Sequence, residues 1–240
     1  MIRKVTLLIV RFVILTVFIA SFSECRVNGI EGSGIVTTET RPITEFSKLN
    51  IAGNYNIVIR QGKRSELSLK MDDNLLDNVS TDISGDVLYI KNLNQVLNSR
   101  ETSIYITVKK LDEVQLNGKI DFSTSNILSR KHFTLNSRGS CNVDLDIHTN
   151  SLRLDLVGNN NVTISGNSHS LNAVLSGFGE FNSLDYFCEN VYLDITGAID
   201  SKVYAKDFLK VRMSGAGRVL YKGNPEVIKD YSSLASIQPF

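Results

Sequence analysis

Apolar and polar residues alternate along much of the chain, which is the pattern of β-strands with one buried face. In the second half, glycines interrupt this alternation at intervals of 18 to 21 residues, from Gly118 to Gly215. A similar strand pattern surrounds Gly53. We assign these glycines to one repeated position, which we call the glycine column: Gly53, Gly118, Gly139, Gly158, Gly177, Gly197 and Gly215.

Apolar residues recur at fixed distances from these glycines. Around Gly158, for example, Leu152, Leu154 and Leu156 precede the glycine and Val162 follows it. A single unit of this length cannot bury its apolar face, but coils stacked about 4.8 Å apart can form continuous apolar columns. The sequence therefore predicts an all-β fold built from repeated coils.

The spacing of the apolar residues favours a right-handed parallel β-helix, or solenoid, with coils of about 18–21 residues. A left-handed β-helix would carry an aliphatic residue at every sixth position, whereas here the apolar residues follow each other at steps of two before each glycine. The glycines are predicted to form structural corners because a sharp bend needs a positive φ.

Other segments are less regular. The 65 residues from Gly53 to Gly118 leave room for three coils, which predicts about ten coils in total. Strands are predicted at 67–71, 79–83, 87–91 and 103–108, and one helical turn at 72–77. The segment 32–48 is expected to start the N-terminal coil, and residues 224–240 to cover the C-terminal end.

The N-terminus has the pattern of an export signal. Arg3, Lys4 and Arg11 precede an apolar run of nine residues, which suits a signal peptide but is too short to span a bilayer. We therefore predict a signal peptide at 1–23, a short linker at 24–31 and one β-helix domain at 32–240. The predicted location is the periplasm, the outer-membrane surface or the extracellular space. Lipidation of Cys25 is the alternative to an ordinary cut after Ser23.

Charge and cysteine content narrow the function. The formal net charge is +1, and loss of Arg3, Lys4 and Arg11 with the signal peptide changes it to −2. No Lys/Arg cluster survives, so we expect no nucleic-acid partner, and no transmembrane segment in the mature chain. Cys141 and Cys188 fall two coils apart, roughly 10 Å along the axis, which is too far for a disulfide. Both are predicted to be free thiols.

Catalytic and metal motifs are absent from the sequence, so we expect no catalytic residue, no metal ligand and no cofactor. The position three residues after each glycine forms a polar column that includes Glu180 and Asp200. Column neighbours would lie about 5 Å apart, close enough to act as an acid and base pair or to share Ca²⁺. The same residue types also stack as hydrogen-bonded ladders at corners.

Aromatic residues are the other candidates for function. Phe178 falls at a corner, and Tyr192 and Tyr204 fall at positions whose side chains should point outward. Outward aromatics suit contacts with a sugar or a protein. The predicted ligand face comprises Phe178, Glu180, Tyr192, Asp200 and Tyr204.

Several short motifs resemble those of the bacterial head GIN domain family, whose members are also called auto-transporter adhesins. The similarity begins at Gly32-Ser33-Gly34, continues through 38–62 and the Ser-Gly-x-Gly coils at 176–179 and 214–217, and ends at 221–225. It covers roughly residues 30–240. The resemblance implies an exported β-helix, mostly in Bacteroidetes-like bacteria, with no assigned activity. Some coils, such as Arg138-Gly139-Ser140-Cys141, depart from the family's usual glycine motif. These departures affect the predicted regularity of the corner and not the predicted fold.

These features lead to one functional hypothesis and two alternatives. The first is a non-enzymatic, adhesin-like module of the cell envelope that presents one long face to an unknown protein or glycan at the cell surface. The second is a polysaccharide lyase or hydrolase that uses the acidic column. The third is a purely structural envelope protein.

Overall fold

The computed structural model describes residues 28–231 and 234–240, and its secondary structure is almost entirely β. Alternating residues form the strands, and the one helical segment is a 3₁₀ helix at Asp73–Asn78. This helix lies where the sequence predicted a helical turn. The strands are β1 Ile30–Glu31, β2 Val36–Arg41, β3 Lys48–Gln61, β4 Glu66–Asp72, β5 Val79–Ser84, β6 Val87–Asn92, β7 Val96–Asn98, β8 Thr102–Val108, β9 Glu113–Thr124, β10 Leu128–Lys222, β11 Glu226–Tyr231 and β12 Ala235–Pro239.

Successive segments of the second half stack in parallel and in register. β3 pairs with β9 so that Gly53 lies opposite Gly118, and β9 pairs with the start of β10 so that Gly118 lies opposite Gly139. The long run β10 continues this order, since each later glycine of the column lies against the carbonyl group of the preceding one. Equivalent residues of successive segments therefore lie on top of each other.

The core consists of the apolar columns that the sequence predicted. Residues six, four and two positions before the glycines and four positions after them point inward, as Leu152, Leu154, Leu156 and Val162 do around Gly158. Each of these four side chains is at most 2% exposed. Burial of one such side chain contributes about 1.5 to 3 kcal/mol, so the stacked columns supply the main stabilising free energy.

The strands between Gly53 and Gly118 differ from the prediction. Gly53 and Gly118 are direct neighbours, so the expectation of three coils between them, and of about ten in total, is wrong. The intervening residues instead cover the other side of β3, where β6 and β8 pair with it in parallel. The four predicted strands are present as β4, β5, β6 and β8.

The N-terminal end is closed by antiparallel pairing. β2 pairs with β4, β4 pairs with β8, and β5 pairs with β6, all antiparallel. Segment 32–48 therefore belongs mainly to this N-terminal cap. The expectation that it starts the N-terminal coil is wrong, because the first stacked segment begins at Lys48. Ile30 and Glu31, placed in the linker by the sequence, pair with β7.

The C-terminal segment lies over the last coil, as predicted for 224–240. β11 pairs in parallel with residues 208–213, and β12 pairs in parallel with residues 217–221. Cys141 and Cys188 are both free, as predicted from their separation in the repeat, and both are buried. Burial raises the pKa of both thiols.

The predicted signal peptide at 1–23 and Cys25 lie outside the described residues. In the part of the chain that the structure does describe, no helix combines the length and the apolar character needed to cross a membrane.

Candidate functional site

A polar ladder follows the glycine column at the position three residues after each glycine. The Asn142 side-chain amide donates to Asp121 Oδ1 at 2.7 Å, and the Asn161 amide donates to Asn142 Oδ1 at 3.2 Å. The Glu180 backbone N–H donates to Asn161 Oδ1 at 3.3 Å. These side chains therefore bond to one another and to the backbone from coil to coil.

The first half of this ladder borders a shallow depression of about 340 Å³. Its polar lining comes from two adjacent columns, which lie three and five residues after the glycines. The first column supplies amide and carboxylate groups, and the second supplies hydroxyl and carboxylate groups. The lining residues include Asn56, Asp121, Ser123, Asn142, Asp144, Asn161 and Thr163. This surface offers hydrogen-bonding groups without an aromatic ring among its lining residues, apart from Phe122, which is only 1% exposed.

Glu180 and Asp200, the predicted acidic pair, share a second depression of about 140 Å³ with Lys202 and Arg218. Asp200 Oδ1 accepts from the Arg218 backbone N–H at 2.9 Å, and Arg218 Nη2 lies 3.1 Å from Asp200 Oδ2. The hydrogen bond from the Arg218 side chain lowers the pKa of Asp200. A general acid needs the opposite shift, and a carboxylate already bound to a guanidinium is poorly placed to take up a proton. Both contacts of Asp200 are therefore to Arg218, which stands at the equivalent position after the next glycine of the column.

Metal binding has little support at the described positions. No three His, Cys, Asp or Glu side chains come together there in a way that could hold a metal ion.

Phe178 directly follows Gly177 of the glycine column and is 66% exposed. It borders a narrow gap that also includes Glu180 and the buried Phe181. The neighbouring Gly179 contributes no side chain there, and a Cβ at this position would lie 2.0 Å from the Asn160 carbonyl oxygen. The exposed ring of Phe178 therefore borders the same gap as Glu180, one member of the acidic pair.

Tyr192 lies in a separate depression of about 190 Å³. Its ring centroid is 5.6 Å from that of Phe208, at an interplanar angle of 47°. Lys210 and Arg212 come from the next coil and line the same depression, together with Asn172 and Asp194. We call this surface, defined by Asn172, Tyr192, Asp194, Lys210 and Arg212, the Tyr192 patch.

Tyr204 forms a third group with Phe187. Their ring centroids are 5.1 Å apart with an interplanar angle of 73°, which is an edge-to-face contact. Phe187 is 60% exposed and Tyr204 is half-buried. Edge-to-face pairs contribute about 0.5 to 1.5 kcal/mol beyond burial, so the two rings are held together as one surface feature.

The five predicted ligand-face residues therefore lie at three places. Glu180 and Asp200 share a depression with Phe178 at its side, while Tyr192 and Tyr204 each belong to a different aromatic pair. Sequence reasoning overlooked Phe208, Lys210 and Arg212. The coil register held the signal, because Tyr192 and Lys210 both stand five residues before a glycine of the column.

The N-terminal cap contains one further cavity, of about 190 Å³. Met71, Leu75 and Val79 form its apolar side, and Asn54 and Asn92 are among its polar lining residues. The Tyr55 hydroxyl donates to Asn92 Oδ1 at its border, and burial raises the pKa of this tyrosine. This cavity shares no lining residue with the depressions that contain the predicted ligand face.

Fold and surface together define an all-β protein of parallel strand segments paired in register, with polar and aromatic columns on its outside. In the described residues its one helical segment is a 3₁₀ helix. The chain belongs to the family described as "Putative auto-transporter adhesin, head GIN domain", whose model matches residues 45–225. The resemblance noted from the short motifs is thereby confirmed.

Solved structures from Bacteroides and Parabacteroides species share the fold. An adhesin-type protein from Bacteroides fragilis has a TM-score of 0.82 at 21% identity, covering 88% of this chain and 100% of that one. A protein from Parabacteroides distasonis titled "Putative lipid binding protein" has a TM-score of 0.68 at 21% identity, covering 88% and 99%. An adhesin-type protein from the same species has a TM-score of 0.73 at 15% identity, covering 89% and 100%. No curated protein matches the chain.

Proposed function

We propose that the protein is an exported, non-catalytic binding module of the cell envelope, whose outer columns contact a protein or a glycan. The observation that carries this proposal is the pair of aromatic groups on the C-terminal coils, Phe187 with Tyr204 and Tyr192 with Phe208. Exposed aromatic rings cost hydration free energy, and clusters of them are typical of interaction surfaces. The family of adhesin-type proteins is consistent with such a role.

The architecture suits this function. We propose that the coils wind as a right-handed parallel β-helix, which the apolar spacing and the strong preference for right-handed parallel crossovers both favour. A rigid stack of this kind presents each column as a straight row of side chains about 4.8 Å apart. A ligand with repeating units can contact such a row at several coils without ordering any loop.

Export is part of the proposal and rests on the basic and apolar pattern of residues 1–23. Cleavage after Ser23 would release a soluble chain, whereas lipidation at Cys25 would retain it at a membrane. The mass of the chain isolated from the envelope distinguishes the two.

Binding can be tested with the purified protein on arrays of glycans and of envelope and host-surface proteins. A double variant, Tyr192→Ala with Tyr204→Ala, should lose most of the signal because both aromatic surfaces are removed. The matched control is Tyr89→Ala with Tyr105→Ala, since these two cap tyrosines are 38% and 41% exposed, close to the 39% of Tyr192. Absence of any ligand on either array would instead favour a structural role.

A further inference from the structure

We infer that the Tyr192 patch binds an acidic sugar unit, one that carries a carboxylate or a sulfate group. This inference rests on the proposed binding function and specifies the ligand for one of its surfaces.

The patch combines an aromatic face with two cationic groups. Tyr192 is 39% exposed, and Phe208 packs against it from the neighbouring coil, which limits the ring's freedom before a ligand arrives. Sugar rings stack on aromatic faces through their C–H groups, and an aromatic ring held by a neighbour loses little entropy on binding. The ring therefore selects for a flat apolar surface on the ligand.

Lys210 and Arg212 remain available for an anion. Across residues 28–231 and 234–240, neither side chain has an ion-pair partner within 4 Å, although Asp194 lines the same depression and Asp230 of β11 is the register neighbour of Arg212. By contrast, Arg218 is paired with Asp200, and Arg130 is paired with Asp112. A guanidinium without a partner can bind a carboxylate or sulfate through two parallel hydrogen bonds.

The remaining polar groups favour a sugar over a simple anion. Asp194 supplies carboxylate acceptors and Asn172 supplies both a donor and an acceptor, which suits hydroxyl groups. A ligand that brought only negative charge would meet repulsion from Asp194. An acidic sugar satisfies all of these groups, because it combines hydroxyls, an anion and an apolar ring face.

The register of the strands places Lys210 next to Tyr192. Gly215 stacks on Gly197, so Tyr192 and Lys210 occupy the same column on neighbouring coils. Their backbones are therefore separated by about 4.8 Å. This spacing is close to the length of one sugar unit in an extended chain. A ring stacked on Tyr192 can thus place its own acidic group, or that of the next unit, beside Lys210 and Arg212.

The inference can be tested by measuring binding of the purified protein to three polymers: polygalacturonate, a sulfated glycosaminoglycan and neutral dextran. We expect the protein to bind one or both acidic polymers and not dextran. Tyr192→Ala and the double variant Lys210→Ala with Arg212→Ala should each weaken that binding about tenfold or more, equivalent to about 1.4 kcal/mol. Tyr192→Phe should retain it, because the stacking face remains.

A second double variant controls for general electrostatic attraction. Lys119→Ala with Arg138→Ala also removes two exposed positive charges, but from coils away from the patch. This variant should bind like the parent, and thermal melts should show that all variants are folded.

Equal binding of dextran, or unchanged binding after loss of Lys210 and Arg212, would overturn the inference while leaving a glycan-binding function in place. Binding to proteins alone would overturn the acidic sugar but not the binding module, and no binding on any array would overturn both.

Discussion

Each glycine of the stacked column is required by the glycine beneath it. An ideal Cβ at Gly177 would lie 2.1 Å from the carbonyl oxygen of Gly158, and the corresponding distances along the column from Gly118 to Gly215 are 2.1 to 2.3 Å. The backbone of Gly177 also has a φ of 120°, which residues with a side chain rarely adopt. The sequence predicted only the positive φ, whereas the close approach of the two backbones is visible only in the structure.

We predict that Gly177→Ala lowers the free energy of unfolding by about 3 kcal/mol, because strain in φ and a steric clash with the neighbouring coil add together. The control is Gly85→Ala, since Gly85 has a φ of 63° and no atom within 4 Å of an added Cβ. That change should cost about 1 to 2 kcal/mol. Urea denaturation of both variants measures the difference. Equal losses would mean that the contact between coils does not matter.

At the scale of elements, one arginine joins three parts of the N-terminal cap. Arg41 at the end of β2 donates through Nη1 to the Val79 carbonyl oxygen at 2.5 Å and through Nη2 to the Leu76 carbonyl oxygen at 2.7 Å. Its Nε also bonds to Glu39 Oε1 at 2.7 Å. The guanidinium thereby ties β2 to the 3₁₀ helix and to the start of β5.

We predict that Arg41→Lys destabilises the cap by about 2 kcal/mol, because an ammonium group cannot reproduce the fork of donors that reaches both carbonyl groups. Hydrogen exchange of the amides in β2 and β5 should become faster, while exchange in the stacked coils stays unchanged. Arg60→Lys is the control, since Arg60 is exposed on β3. Unchanged exchange in the cap of the Arg41 variant would show that the apolar contacts alone hold β2 in place.

The two ends of the whole molecule are closed in different ways. Antiparallel strands cover the N-terminal end, whereas β11 and β12 continue the parallel order at the C-terminal end. Unpaired strand edges promote association, and proteins limit this with charged residues and prolines. Glu226, Lys229 and Asp230 in β11, together with Pro225 and Pro239, supply both features here.

We predict that deletion of residues 224–240 produces oligomers. The deletion would leave the strand edges at 208–213 and 217–221 without partners, and it would remove Pro225 and Pro239, which flank β11 and end β12. Size-exclusion chromatography of the shortened and full chains at equal concentration measures the effect. A monomeric shortened chain would show that the last coil protects its own edge.

The sequence alone determined the β-structure, the inward columns and the stacked glycines of the second half. These features follow from alternation and from a repeat of about twenty residues, both of which are local patterns that the chain carries wherever it folds. The separation of Cys141 from Cys188 followed from the same repeat. The family also followed from the order of short motifs.

Only the tertiary structure decided the arrangement of the first half and the composition of the candidate site. The direct stacking of Gly53 on Gly118 depends on a choice among many strand edges, and no local pattern states which edge a strand will join. Likewise, Tyr192, Lys210 and Arg212 come from two coils and meet only because those coils stack in register. Alternation fixes which face of a strand is buried, but the contacts across coils depend on the pairing of residues distant in the sequence.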